Sequence, residues 1–267
     1  MSTVTARAVG WTESGFVPDS VIRAGIRRLL ERKRGEIRAG DMAHAAETVN
    51  TFVEMMNASP IALVPELANE QHYEVPAEFF SHVMGAHHKY SCCHWSDATE
   101  TLTQAEADAL TITADRADID NGMRVLDMGC GWGSFSLWAA TRYPDSRFTA
   151  VSNSSSQQAY IRAEAEKRGI ANLDVLVCDM NDFRPDGSFD RIVSIEMFEH
   201  MRNYGELFRR ISEWLSDDGR FFMHIFCHRT TPYEYLDNGP GDWMSRHFFS
   251  GGIMPSADLP LRFADHL

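Results

Sequence analysis

The chain contains no run approaching the roughly 18 consecutive apolar residues that a membrane-crossing helix needs. Its strongest apolar stretch, Arg220 to Cys227, is only strand length and is interrupted by His224. Met1 to Gly15 lacks the basic-then-apolar order of a signal peptide. Stable membrane insertion is therefore not expected. Cysteine is sparse and odd in number, five among 267 residues. Cys92 and Cys93 are adjacent, Cys130, Cys178 and Cys227 are isolated, and no C-x-x-C pair exists. That spacing argues against zinc sites and disulfide frameworks, and makes a reducing cytoplasm the expected location. Basic residues are the minority, 25 Lys+Arg against 38 Asp+Glu, for a net charge of −13. Polyanions are held by Lys and Arg, so no nucleic-acid partner is expected. A cationic or neutral small substrate suits the balance better. Repeats and low-complexity tracts are absent, and 44% hydrophobic content excludes general disorder. The length allows one large domain or two small ones.

What is present divides by rhythm. Asp19 to Ala39 carries Val21, Ile22, Ile26, Leu29, Leu30 and Ile37 at mostly helical spacing. It also carries Arg23, Arg27, Arg28, Arg32, Lys33, Arg34 and Arg38, a local net charge of +4. A basic helix of this kind can meet a membrane or an acidic partner; a solvated helix face explains it more simply. Asp41 to Asn57, Pro76 to Met84 and Thr103 to Ile119 read as further helices. The turn dipeptide Asn121-Gly122 closes this region. Beyond it, strands are predicted at Arg124 to Met128, Arg147 to Ser152, Asp174 to Cys178, Arg191 to Ile195 and Arg220 to Cys227. Helices at Ser134 to Tyr143, Ser155 to Gly169 and Tyr204 to Leu215 lie among them. Alternating strands and helices predict an α/β fold with a mainly parallel sheet. Thr230 to Leu267 shows no clear regular element.

The most informative local sequence is Val125-Leu-Asp-Met-Gly-Cys-Gly-Trp-Gly133, which leaves a strand and opens a helix. Gly129, Gly131 and Gly133 permit close backbone approach to a ligand, and Asp127 at the strand end suits a cationic ligand group. A dinucleotide site would place the third glycine one residue later and would end the second strand on an acidic residue. Neither is found. The D-x-G-x-G-x-G form resembles motif I of class I S-adenosylmethionine (SAM)-dependent methyltransferases. The segment Ser152-Asn-Ser-Ser-Ser-Gln157 resembles the polar stretch after the second strand in the coclaurine N-methyltransferase and cyclopropane fatty acid synthase group. That resemblance makes Asn153 and Gln157 ribose contacts, although Ser154 to Ser156 suit a helix N-cap equally well. It also sets Asp179 and Met180 beside the adenine and Ile195 at the cofactor edge of the fourth strand.

The second signal is Asp190-Arg-Ile-Val-Ser-Ile-Glu-Met-Phe-Glu-His-Met-Arg-Asn-Tyr204. If the chain turns helical after Ile195, Glu196, Glu199 and His200 share one face. Carboxylates can hold a cationic amine, and a carboxylate or imidazole can take its proton. A solvated helix start is the plainer alternative. The zincin order H-E-x-x-H is absent, so no metal is expected. Glu-Met-Phe-Glu-His resembles the signature of the coclaurine-type N-methyltransferases, which implies active-site roles for Glu196, Glu199 and His200. Cyclopropane synthases resemble it too, but place Gly where this chain has Glu196. Tyr90-Ser-Cys-Cys-His-Trp95 resembles the segment that covers the cofactor in both subfamilies, implicating Tyr90 and Ser91. In the lipid enzymes the positions of Cys92, Glu199 and His224 help bind bicarbonate; for a single His in an apolar strand, an ordinary core histidine is the preferred reading of His224. Of the aromatics Trp95, Tyr233, Tyr235, Trp243, Phe248 and Phe249, one or two are expected to line a substrate pocket.

The resemblance implies a SAM-dependent N-methyltransferase for a small, aromatic or alkaloid-like amine, with a homodimer allowed. The alternative is a cyclopropane-fatty-acyl-phospholipid synthase-like enzyme acting on unsaturated lipid chains. The implied organisation is a helical lid or cap over residues 1–120, a Rossmann-like SAM-binding core over 121–229, and the start of a substrate cap over 230–267. A class I methyltransferase sheet has seven strands and five can be placed, so the C-terminal strands are expected to be missing.

Overall fold

The computed structural model describes residues 7, 10–38, 40–63, 77–239 and 242–267. The expected helix opening at Pro76 and helix end at Ala39 lie outside the described residues.

Among the described residues, the helices α1 (Asp19–Glu36), α2 (Met42–Asn57), α3 (Ala77–Val83) and α4 (Leu102–Arg116) precede the sheet. Helix α1 buries none of its side chains, as its run of arginines requires. No described helix is long and apolar enough to cross a membrane. Helix α2 is different. Val49, Phe52 and Met56 recur at helical spacing and are buried, and the Asp41 carboxylate caps it by accepting from the His44 N–H at 2.9 Å. Thr101 and Gln104 form a reciprocal capping box at the start of α4.

The sheet follows as β1 (Arg124–Met128), α5 (Ser134–Arg142), β2 (Arg147–Ser152), α6 (Ser155–Arg168), β3 (Leu173–Val177), β4 (Phe189–Ile195), α7 (Tyr204–Trp214) and β5 (Leu215–His224). The five strands run in the order β3-β2-β1-β4-β5, and all pairs are parallel. Strands β1 and β4 lie inside and are buried nearly throughout, as near-continuous apolar strands between helical layers must be. Several predicted strand boundaries move: β3 spans Leu173–Val177 rather than Asp174 to Cys178, β4 begins at Phe189 rather than Arg191, and β5 begins at Leu215 rather than Arg220 and stops at His224 rather than Cys227. None of the residues of β5 is fully buried, because it forms one margin of the sheet.

The main core joins elements from the whole chain. Val49, Phe52 and Met56 of α2, Leu126 and Met128 of β1, Ile192 of β4, Leu207, Phe208 and Ile211 of α7, and the late residues Leu259 and Phe263 pack together. A second cluster on the other face of the sheet sets Leu110 and Ala114 of α4 against Phe135 and Ala139 of α5. The region after residue 230, unstructured by sequence pattern, contains a two-residue antiparallel pair, β6 (Tyr233–Glu234) with β7 (Ile253–Met254), a short helix α8 (Trp243–His247) and a 3-10 helix at Leu259–His266. These elements are too short to leave a periodic signature. Arg202, almost fully buried, ties them to the rest: it pairs with Glu234 at 2.8 Å, donates from its guanidinium to the Gly251 carbonyl, and donates its backbone N–H to the Ile61 carbonyl.

The strand order positions the site. After β3 the chain crosses back to lay β4 on the far side of β1. Ligands in open α/β sheets bind at the carboxyl edge where that reversal occurs. Here the reversal brings the loop after β1 next to the loop after β4.

Candidate active site

Two contiguous clefts open along this edge. One, a half-open cleft of about 750 Å³ including its mouth, lies over the ends of β2, β3 and β4 and is lined by Asn153, Gln157, Asp179, Met180, Glu196 and His200. The other, about 1250 Å³, runs beside Lys89, Tyr90, Ser91, Asp127, Ile195, Glu196, His200, Phe248 and Phe249. Gly129, Gly131, Glu196 and His200 line both.

The glycine loop is open where a ligand would lie. Gly131 has φ +53° and a Cβ built there meets nothing within 4 Å. Gly133 also has positive φ, but its Cβ would strike Ile161; it lets α5 pack on α6 and lines neither cleft. Gln157 is buried, and its Oε1 accepts from Ser152 Oγ at 2.5 Å. Its Nε2 has no hydrogen-bond partner among the described residues. A buried, unsatisfied amide facing a cleft is a site for an external acceptor such as a ribose hydroxyl. Ser154 meanwhile accepts from the Gln157 backbone N–H as the N-cap of α6, so the capping role and the cleft position hold together. Asp127 is buried with one short bond from Ser136 Oγ at 2.5 Å. Burial raises its pKa to about 6, and an incoming ammonium would offset that cost. The donor set fits a nucleoside carrying a cationic amino-acid arm.

After β4 the chain does not form an α-helix. Glu196 takes a left-handed backbone, φ +53°, and its N–H donates to the His224 carbonyl at 2.8 Å. A 3-10 turn then spans Phe198–His200. The three candidate residues consequently part company. Glu196 and His200 face the clefts. Glu199 turns inward, fully buried, and its Oε1 accepts from the Phe226 N–H at 2.7 Å. Desolvation raises its pKa to about 8. The His200 ring stacks on Phe249 with centroids 4.9 Å apart, and Phe249 stacks on Tyr235 at 5.1 Å. Phe248 and Phe249 are the two expected pocket aromatics that line a cleft, whereas Trp95 and Trp243 are exposed.

The Tyr90-Ser91 segment is anchored by a residue that sequence pattern does not reveal. The buried Glu106 carboxylate of α4 accepts from the backbone N–H groups of Gly85, His87 and Lys89. Its partners are main-chain atoms, so no side-chain motif announces it. Lys89 is nearly buried and its Nζ donates to Ser91 Oγ at 2.5 Å. Tyr90 sets its ring edge against Phe80, which packs on Trp132 of the glycine loop. Cys92 Sγ lies 3.8 Å from His224 Nε2. The carboxylate that completes this group is Glu196, not Glu199.

A family model described as mycolic acid cyclopropane synthetase matches residues 65–259. The chain belongs to this family. It is 38% identical to an (S)-coclaurine N-methyltransferase of Thalictrum flavum subsp. glaucum over 258 residues, 95% of this chain and 71% of that protein. It is 32% identical to a cyclopropane-fatty-acyl-phospholipid synthase of Escherichia coli over 192 residues, 71% of this chain and 47% of that protein. The crystal structure of a coclaurine N-methyltransferase bound to N-methylheliamine and SAH superposes with a TM-score of 0.93 at 35% identity, covering 99% of this chain and 77% of that one. The fold is that of the class I SAM-dependent methyltransferases, the protein is an enzyme of that class, and SAM is the family's cofactor.

A Val at Gly131 is expected to weaken SAM binding about tenfold or more, equivalent to about 1.4 kcal/mol. The side chain would project into open space without a clash, so the fold is expected to survive, with some stability lost to the left-handed backbone that Val disfavours. Calorimetric titration with SAM, alongside circular dichroism, checks this; a folded variant with unchanged affinity would show that the loop does not face the cofactor.

Proposed function

We propose that this protein transfers the methyl group of SAM to the nitrogen of a small amine of aromatic or alkaloid-like character. One observation carries the reading: Glu196 and His200 are the two ionisable side chains of the signature segment that face both clefts, at the junction where cofactor and substrate would meet. When bound, SAM supplies an electrophilic methyl on a sulfonium. The chain's own task is to present a nucleophilic nitrogen. An alkyl amine arrives protonated at neutral pH, and the Glu196 carboxylate attracts that cation. Glu196 or His200 then takes the proton so that the lone pair is free. Stacking on Phe249 keeps the His200 imidazole oriented. Glu199, holding its own proton at neutral pH and bonded to the Phe226 N–H, positions the wall of the substrate cleft rather than serving as base. Asp127, Asn153, Gln157 and Asp179 would hold the cofactor, with Tyr90 and Ser91 over it. The five free thiols suit a reducing compartment, and we assign the enzyme to the cytoplasm.

The left-handed conformation of Glu196 supports the amine over the lipid reading. A non-glycine residue there costs about 1–3 kcal/mol, which a glycine would avoid. A strained residue retained at a cleft calls for a function of its side chain. The Glu196 carboxylate also lies beside Cys92 and His224, where its charge would repel bicarbonate. Methyl-labelled SAM offered with a panel of tetrahydroisoquinoline-type amines, and separately with unsaturated phospholipid vesicles and bicarbonate, decides the matter. Label in an amine product is expected. Label in the lipid fraction and in no amine would overturn the proposal.

A further inference from the structure

Among the described residues, Cys92, Glu196 and His224 each offer a ligand atom, and these atoms all lie within 4.8 Å of one another. We propose that they form a binding site for a zinc-like divalent transition metal, and that its occupation withdraws Glu196 from methyl transfer. The regulatory half of this inference rests on the role proposed above for Glu196; the binding half does not.

The spacing suits a tetrahedral ion. With metal–sulfur and metal–nitrogen bonds of about 2.3 and 2.0–2.1 Å, the two ligand atoms stand about 3.6 Å apart. Cys92 Sγ and His224 Nε2 are separated by 3.8 Å. A thiolate, an imidazole and a carboxylate make a borderline donor set that favours zinc or cobalt over calcium or magnesium. Three protein ligands leave a fourth position for water.

The site is largely preorganised. Glu196 follows β4 and His224 ends β5. Ile195 pairs with His224 in the sheet register, and the Glu196 N–H bonds to the His224 carbonyl at 2.8 Å. Cys92 comes from the segment whose start Glu106 anchors, and its exposure gives an ion a path from solvent. Lys89 and Arg116 act electrostatically on His224 and oppose any cation. A hard ion bound by charge alone gains little against them, whereas a metal–thiolate bond compensates.

Titration of the full chain with cobalt(II) tests the site without reference to catalysis. One equivalent is expected to bind with a near-ultraviolet thiolate-to-cobalt absorption. That band should vanish in Cys92→Ser and persist in Cys93→Ser. In His224→Gln, affinity should fall by about 10- to 100-fold or more, since even outer-shell partners are worth that much. Circular dichroism confirms that each variant is folded. Absence of the band in the wild type, or its survival in Cys92→Ser, would overturn the site. Zinc should then suppress labelled-methyl transfer by the wild type, with recovery on chelation. Full turnover at zinc saturation, with the cobalt band present, would overturn the regulatory half alone.

Discussion

Glu196→Gln is expected to lower kcat for amine methylation by about 10²- to 10⁴-fold, the usual worth of a positioned acid or base. The substitution keeps the side chain's shape and its capacity to hydrogen-bond, but removes the charge that attracts an ammonium and the basicity that accepts its proton. SAM affinity should stay within about threefold, because the cofactor contacts proposed for Asp127, Asn153 and Gln157 are left intact and Gln tolerates the left-handed backbone no worse than Glu. Single-turnover methyl transfer and calorimetry measure the two quantities separately. His200→Ala should also slow transfer. The double variant should fall short of the product of the two losses, since both groups act on one proton. Wild-type kcat in Glu196→Gln would remove the assigned role.

The second large effect concerns stability and arises from Glu199. Its folded pKa of about 8 stands above the ordinary value of 4.5, with desolvation as the leading cause. A carboxyl raised in this way binds a proton in the native state that the unfolded chain releases. Its contribution to stability is therefore complete below about pH 4.5 and is lost as the pH rises through 8, at up to about 1.4 kcal/mol per unit. Asp127, raised to about 6, adds the same sign of dependence but only up to that pH. His87, His88 and His224, lowered by burial, act in the opposite direction and below neutrality. Between pH 7 and 8 Glu199 is the leading contributor, and by itself it should cost the wild type about 1 kcal/mol; the thiols Cys92, Cys93, Cys130 and Cys178, raised by burial, add smaller losses of the same sign. Glu199→Gln should abolish the Glu199 share, having no proton to release. Glu199→Ala should cost about 1–3 kcal/mol further by leaving the part-buried Phe226 N–H without its carboxyl acceptor. Urea unfolding at pH 6, 7 and 8 follows all three proteins. An unchanged slope in Glu199→Gln would show that the native carboxyl is ionised.

Much of this molecule could be read before any coordinates. The strand, glycine loop and helix around Asp127 to Gly133 are encoded locally, by apolar residues bounded by positions that tolerate positive φ. Gly169 ends α6 in a left-handed conformation, as its place after a helical run requires. Five strands and their parallel character followed from alternation with amphipathic helices. The segment after residue 230 resisted because its elements are two to eight residues long and take their order from Arg202 and the core, not from their own periodicity.

The signature Glu-Met-Phe-Glu-His shows where local reading ends. Spacing alone sets Glu196, Glu199 and His200 on one helical face. The fold instead bonds the Glu196 N–H to the His224 carbonyl, which holds Glu196 in a left-handed conformation, starts a 3-10 turn two residues later, and sends Glu199 inward. Glu106 likewise acts on main-chain N–H groups about twenty residues away, and Cys92 meets His224 across 132 positions. The sequence by itself determined the strand–loop–helix of the cofactor site, the acidic and thiol-poor character, and the resemblance that names the chemistry, because these are properties of neighbours along the chain. Which carboxylate faces the clefts, which is buried with its proton, and which residues converge on one point were decided only by tertiary structure. Parallel strand register and desolvation depend on elements that the chain brings together from far apart, and no spacing rule carries that information.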